Sequence, residues 1–163
     1  MAKIDRVVVN ASPLIVLFKA QMADLFPQLF TEVLVPSAVW NEVVMGEASD
    51  AAAEGLGSAT WARRVEVATI PSTILAWNLG QGESEVLSLV IERSGYRAML
   101  DDAAARRCAR TLKIPILGTG GALIRAKRRG LIGSVGSSLQ ALRAAGLWVS
   151  DDVVALLLKQ AGE

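Results

Sequence analysis

The chain has 163 residues, 52% of them hydrophobic, which fits a single domain with a well-buried core. Its formal net charge is +1, so the composition excludes a global electrostatic attraction to nucleic acid or to an anionic membrane. The chain contains no histidine, and general-base catalysis or metal ligation therefore falls to carboxylates.

Predicted strands and helices alternate along the first half of the chain. Val7, Val8 and Val9 form a short β-branched run that ends at Asn10, and the serine and proline that follow start a helix. In chain order the predicted elements are a strand over 7–9, helices over 14–20 and 22–29, a strand over 33–35, a helix capped by Ser37 and ended by Gly46, a helix over 50–64 with a loop-like middle at 55–58, and a strand over 65–70.

The second half continues the same alternation. In chain order it predicts a helix that begins at 82–83 and ends at 94–95, a strand over 96–100, a helix over 102–112, a strand over 114–117, a turn over 118–121 into a helix that ends at 128–130, and helices over 135–145 and 151–159. Repeated strand, helix, strand order with wholly apolar strands indicates an α/β fold whose parallel sheet is covered on both faces.

Polar residues follow three of the predicted strands. Asn10 and Ser12 come just after the first strand, Asp101 and Asp102 after a later one, and Thr119 after the next. Because ligands of parallel α/β sheets gather at the carboxyl ends of the strands, we expect these side chains to meet at one edge.

Two further acids lie on predicted helices. Glu42 and Glu83 each stand in a largely apolar stretch, which is unusual for a carboxylate. With the acids that follow the strands, they predict a pocket in which several carboxylates converge.

Five segments together carry a family resemblance. They are VVVNASPLI at 7–15, VWNEVV at 39–44, GESE at 82–85, LDD at 100–102 and LGT at 117–119. In order and spacing they resemble the successive motifs of a PIN domain, over nearly the whole chain and with a glycine-threonine turn found in a prokaryotic PIN-like subgroup.

The resemblance implies a three-layer α/β/α fold with a central, mainly parallel sheet flanked by helices. It implies one PIN-like domain over residues 1–163, with a C-terminal helical extension at about 131–163. It also implies that acids bind Mg²⁺ or Mn²⁺ for hydrolysis of single-stranded RNA, since hard cations prefer oxygen ligands.

Site residues follow from the same resemblance, position by position. Asn10 stands in place of the family's first aspartate, and Glu42, Glu83 and Asp101 are the catalytic acids. The implied metal-binding set is Asn10, Glu42, Glu83, Asp101 and Asp102, with Ser12 and Thr119 in support. The implied RNA-backbone contacts are Arg106, Arg107, Arg110, Arg125, Lys127 and Arg128.

Each acidic position also has a structural interpretation. Asp102 opens a helix and suits an N-cap, and Asp101 alone fits capping as well as metal binding. Glu42 fits a solvated helix position, and Glu83 fits a helix start. Asn10 fits a turn whose backbone its own amide stabilises.

Other features keep two interpretations as well. Residues 91–130 carry ten Lys or Arg against three acids, whereas residues 1–55 carry seven acids against three basic residues. The basic residues at 125–129 suit either a solvated helix end or RNA. The four tryptophans suit packing or base stacking, and Gly118 to Gly121 suit a tight turn better than a phosphate loop.

Location and association are also predicted. The lone cysteine, Cys108, excludes an internal disulfide and fits a buried thiol in a reducing cytoplasm. Residues 1–19 resemble a signal sequence only superficially, and no stretch reaches the ~18 apolar residues of a membrane span. Trp148 and the apolar residues at 153–157 fit core packing or a homodimer or partner surface equally well.

Three functions compete. The first is a metal-dependent ribonuclease, the toxin of a toxin–antitoxin pair with a small antitoxin protein as partner. The second is a PIN-like module that has lost catalysis and binds RNA or protein, which Asn10 favours. The third is a phosphoacceptor receiver-like domain, but its acidic pair should follow the first strand, where this chain has Asn10, Ala11 and Ser12.

Overall fold

The computed structural model describes residues 5–47 and 49–163. The strands are β1 (Arg6–Val9), β2 (Glu32–Pro36), β3 (Ala62–Val65), β4 (Arg97–Met99) and β5 (Ile116–Leu117). The helices are α1 (Ala11–Lys19), α2 (Leu25–Leu29), α3 (Ser37–Val44), α4 (Asp50–Ser58), α5 (Ser72–Leu75), α6 (Gln81–Glu92), α7 (Ala103–Thr111), α8 (Thr119–Arg128), α9 (Val135–Ala144) and α10 (Asp151–Gln160).

The strands form one parallel sheet in the order β3-β2-β1-β4-β5. The central strand is β1, in which Val8 pairs with Leu34 of β2 on one side and Ala98 of β4 on the other. Val7, Val8 and Val9 are fully buried, as expected for a strand covered on both faces. The sheet and its flanking helices confirm the three-layer α/β/α, PIN-like fold class.

The largest departure from the sequence-based elements lies between residues 50 and 70. The predicted helix to residue 64 is too long, because α4 ends at Ser58 and Ala59 is already extended. Residues 62–65 instead form β3, which pairs with β2 from Val33↔Ala62 to Pro36↔Val65. The predicted strand over 65–70 shares only its first residue with β3, since pairing with β2 overrides the local alternation.

Smaller departures concern helix starts. Ser37 does not cap α3: it is the first helical residue, and its Oγ donates to Val65 O at 3.4 Å. Gly118 is the N-cap of α8, so Gly120 and Gly121 lie inside the helix rather than in a turn. The short helix α5 has no counterpart among the predicted elements.

Two expectations about buried and apolar residues can be compared with the structure. Cys108 is buried, as predicted, and burial raises the pKa of its thiol. Within the described residues, no helix is both long and apolar enough to cross a membrane. The signal-like stretch at 1–19 lies partly outside the described residues, which begin at residue 5.

The C-terminal helices α9 and α10 pack against α8 and each other. The carboxylate of Glu163 accepts hydrogen bonds from Lys127 Nζ (2.8 Å), Ser134 Oγ (2.9 Å) and the backbone N–H groups of Val135 (2.6 Å) and Gly136 (3.1 Å). These bonds hold the end of α10 at the N-terminus of α9, where backbone N–H groups lack helical partners.

Candidate functional site

The ends of β1, β4 and β5 lie side by side. The backbone N–H of Asn10 donates to Met99 O (3.0 Å), and that of Leu100 donates to Leu117 O (3.2 Å). These bonds continue the ladder past the strands, so Asn10, Asp101 and the start of α8 follow adjacent strands at one edge. The sequence-based expectation of a shared edge agrees with this arrangement.

Asp101 binds the start of α8 with both carboxylate oxygens. Oδ1 accepts from the backbone N–H of Thr119 (2.9 Å), and Oδ2 accepts from its hydroxyl (2.6 Å). Thr119 is completely buried, so this pair is a fixed joint between the end of β4 and α8. Asp101 therefore does cap a helix. The helix is α8, whose first residue lies 18 residues further along the chain, and not the adjacent helix α7.

Asp102 caps the helix that follows it. It is the N-cap of α7, and its Oδ2 accepts from the backbone N–H of Ala105 at 2.9 Å. The capping interpretation of Asp102 is confirmed. The side chain is exposed, and its place in the metal-binding set stays a prediction.

Glu42 and Glu83 form an acidic pair across α3 and α6. Partial desolvation of its carboxyl group raises the pKa of Glu42, although the side chain as a whole is exposed. The negative charge of Glu83 raises that pKa further. Glu83 is half-buried in the first turn of α6, with its carboxylate folded over Gly80, where an added Cβ would lie 2.5 Å from Oε2. Its helix-start role and a role in the acidic pair are therefore compatible.

The amide of Asn10 packs against the start of α6. Asn10 is 5% exposed, and its Oδ1 lies 3.4 Å from the position that a Cβ on Gly82 would occupy. A glycine at 82 thus allows α6 to approach the end of β1, and it brings Asn10 next to the residue that precedes Glu83. Ser12 lies on the second position of α1 and is exposed.

These residues do not all meet in one cluster. Within residues 5–47 and 49–163, no group of three or more Asp, Glu, His or Cys side chains is arranged to hold a metal ion. The structure places Glu42 near Glu83, packs the Asn10 amide against the start of α6, and binds Asp101 to Thr119.

Glu85 links the two helices that carry the acidic pair, and it is not among the site residues predicted from the sequence. It is buried, and its carboxylate accepts from the backbone N–H of Ala38 (3.1 Å) and from Gln81 Nε2 (2.8 Å). The contact with Ala38 joins α6, which carries Glu83, to the start of α3, which carries Glu42. Nothing in the GESE segment distinguishes Glu83 from Glu85. The difference comes from the contact of Glu85 with Ala38, which lies 47 residues away in the chain.

Arg64 supports α3 from the neighbouring strand. Its guanidinium donates from Nε to Ser37 Oγ (3.2 Å) and from Nη2 to Asn41 Oδ1 (3.1 Å). The exposed edge strand β3 therefore also helps to hold the helix that carries Glu42.

The basic residues divide into two groups. Arg125 forms an ion pair with Asp5 (2.7 Å) and Lys127 with Glu163 (2.8 Å), so both are committed to intramolecular contacts. The exposed side chains are those of Arg107, Arg110 and Arg128, while half-buried Arg106 donates from Nη1 to Leu100 O (3.1 Å).

Arg106 and Arg110 line an open cleft of about 450 Å³ together with Asp101. The opposite wall is formed by residues 147–150 and by α10. This cleft places positive charge next to the polar residues that follow β4 and β5.

A family model described as a PIN domain matches residues 6–163. No curated protein matches the chain.

Proposed function

The chain belongs to the PIN-domain family, and on that basis we propose that it hydrolyses phosphodiester bonds of single-stranded RNA with Mg²⁺ or Mn²⁺. PIN domains are a nuclease family whose members generally use divalent metal ions and bind RNA. The main support is the juxtaposition of Glu42 and Glu83 with the buried amide of Asn10 beside them.

The donor set suits a hard cation. The oxygens of Asn10, Glu42 and Glu83 would hold the ion, with Asp101 at the same edge of the sheet. Desolvation and then the charge of Glu83 raise the pKa of Glu42, and a divalent ion would relieve the repulsion between the two carboxylates. A bound ion would lower the pKa of a coordinated water and neutralise charge that develops on the phosphate.

The protein's own side chains have separate tasks in this proposal. Glu42 is exposed to solvent, and its carboxylate would hold the ion or position an attacking water. Asp101 positions α8 through Thr119, and Arg106 and Arg110 attract the phosphate backbone at the adjacent cleft.

Asn10 supports a second candidate function. Its amide carbonyl can coordinate a hard cation but adds no negative charge, where the family resemblance implies an aspartate. Both oxygens of Asp101 are in addition bound to Thr119. These two observations favour a PIN-like module that binds RNA or protein with weak or no cleavage.

An RNA cleavage assay with Mn²⁺ or Mg²⁺ separates the two candidates. We expect the purified chain to cleave single-stranded RNA, and a chelator to abolish cleavage. Glu83→Gln should lower the rate at least about tenfold, since outer-shell partners of metal ligands alone are worth about 10–100-fold. Glu92→Gln is the matched control, because Glu92 lies on the same helix and is exposed.

RNA binding without metal-dependent cleavage would support the second candidate and contradict the first. Asn10→Asp tests the missing charge directly: we expect it to strengthen Mn²⁺ binding in titration calorimetry and to raise the cleavage rate. Equal or weaker Mn²⁺ binding by Asn10→Asp would show that residue 10 does not contact the ion.

We also propose a cellular role as the toxin of a toxin–antitoxin pair, with a small antitoxin protein as partner. The support is the family resemblance, since many small prokaryotic PIN-like proteins act in this way. Co-expression with the product of an adjacent small open reading frame tests it: the partner should copurify with the chain and suppress RNA cleavage. A neighbour that neither binds nor inhibits would contradict the role.

A further inference from the structure

Trp148 is the most exposed large apolar side chain in the described part of the molecule. It lies between α9 and α10 and is 86% exposed, whereas the next most exposed, Met45, reaches 77%. An aromatic side chain of this size loses favourable burial when it faces water, so its exposure needs an explanation.

The other tryptophans are explained by packing. Trp61 stacks between Phe26 and Phe18, with ring centroids 5.1 and 6.0 Å away. Trp40 and Trp77 are partly buried against the core. Trp148 differs from all three because it lines the open cleft instead.

The cleft has the size and shape of a ligand site. Its volume of about 450 Å³ falls within the range of about 300–1,000 Å³ typical of small-molecule sites. Gly118, Gly120 and Gly121 form one side, and an added Cβ at Gly120 would lie 2.5 Å from Leu157 Cδ1 of α10. The absence of side chains at these glycines lets α10 approach α8 while the space in front of Asp101 stays open.

The charges around the cleft favour a polyanion with a flat apolar group. Arg106 and Arg110 line it, and neither forms an ion pair within residues 5–47 and 49–163. The cleft's carboxylate, Asp101, has both oxygens occupied by Thr119. An aromatic ring and guanidinium groups free of ion pairs are the combination that binds a base and a phosphate of single-stranded nucleic acid.

We propose that this cleft binds one nucleotide of the RNA, with its base stacked on Trp148 and its phosphate facing Arg106 and Arg110. The proposal rests on the proposed function, because Asp101 links the cleft to the edge at which cleavage would take place. Trp148 is then a determinant of RNA position outside the acidic pair. An apolar peptide would leave the two guanidinium groups without a negatively charged partner, so it is the poorer occupant.

Binding is measured first, without cleavage. The probe is a fluorescein-labelled single-stranded RNA octamer, followed by anisotropy in the presence of chelator. Trp148→Ala should raise the Kd by about 5- to 150-fold, since stacking on an aromatic side chain is worth ~1–3 kcal/mol per base. Trp148→Phe should retain most of the affinity, and Leu156→Ala should retain all of it, because Leu156 is exposed on α10 without lining the cleft.

Two further measurements report on the stacking and on the charge. RNA should quench the tryptophan fluorescence of the wild type, and Trp148→Phe should lose that quenching while it still binds. Arg110→Gln should weaken binding and reduce the slope of log Kd against log salt by about 0.7, the value for one phosphate contact on a single strand.

The outcomes separate this proposal from the proposed function. If the wild type binds and cleaves RNA but Trp148→Ala and Leu156→Ala bind equally well, the nucleotide site at Trp148 is wrong and the nuclease function stands. If RNA binding depends on Trp148 but metal produces no cleavage, the nuclease function fails and the site stands. If Trp148→Ala instead turns a dimer into a monomer in light scattering without loss of RNA affinity, Trp148 belongs to an interface between two copies and the proposal is overturned.

Discussion

Substitution of Gly82 by alanine tests the close approach of α6 to the end of β1. A Cβ at this position would lie 3.3 Å from Val39 Cγ2, so Val39 must yield by a few tenths of an ångström, and it would contact Asn10 Oδ1 at 3.4 Å. Overpacking of this kind costs ~1–3 kcal/mol. Alanine gains up to about 1 kcal/mol over glycine in a helix, and less in the first turn. We therefore expect Gly82→Ala to destabilise the fold by about 0–3 kcal/mol.

Gly57→Ala is the matched control. Gly57 also lies in a helix, α4, but an added Cβ there would meet no atom within 4 Å. The only expected effect of Gly57→Ala is the higher helix propensity of alanine, which should stabilise the fold by up to about 1 kcal/mol. For a chain of this size 1 kcal/mol corresponds to a shift of ~2–4 °C in Tm, so the two variants should move in opposite directions.

Thermal and urea unfolding followed by circular dichroism measure the difference, and Mn²⁺ titration of both variants measures its effect on the site. Because the new methyl group contacts the Asn10 amide, Gly82→Ala should also weaken Mn²⁺ binding relative to Gly57→Ala. If both substitutions raise Tm equally, Asn10 does not pack against α6. The proposed arrangement of Asn10 beside the acidic pair would then be refuted.

Two further predictions concern pH. Glu42→Gln should raise Tm by about 0.4–4 °C at pH 7, because the raised pKa of Glu42 means that its ionised form destabilises the fold, and exposed charge pairs are worth ~0.2–1 kcal/mol. The gain should vanish below the unfolded-state pKa of 4.5, where the carboxyl is neutral in both states, and a gain independent of pH would contradict the assignment. Glu163→Gln should act in the opposite sense, because bonds from Lys127 and the start of α9 lower the pKa of Glu163 to about 2. The stabilising contribution of Glu163 is complete above pH 4.5 and disappears as the pH falls towards 2. The Tm values of wild type and Glu163→Gln should therefore converge near pH 2. A constant difference in Tm from pH 7 to pH 2 would argue against the bonds to Lys127 and the start of α9.

Local features were predictable because their signals are local. The apolar run Val7, Val8 and Val9 identifies a buried strand, and the cap at Asp102 involves a partner only three residues away. The predicted helix over 50–64 failed where a distant element decided the structure. Residues 62–65 extend because β2 offers a free edge, which no local pattern in the alanine-rich stretch reveals.

The contacts that position the candidate site could not be predicted from the sequence. The order of the family motifs predicts Asn10, Glu42, Glu83 and Asp101 as one metal-binding set, and this stays a prediction. Nothing in the motifs indicates that Asp101 binds Thr119 through both oxygens, or that Glu85 ties α6 to α3 across 47 residues. Such contacts depend on how whole helices pack, and the spacing of residues along the chain does not specify them.

The sequence by itself therefore determined the parallel α/β architecture, the buried strands and the helix cap at Asp102, since each depends on periodicity or on contacts within one helical turn. Only the tertiary structure decided which acids lie together, which basic residues are already paired, and that Trp148 alone among the tryptophans lines an open cleft beside Asp101. The physical reason is that burial and charge pairing are properties of surfaces brought together by packing, and those surfaces come from segments far apart in the chain.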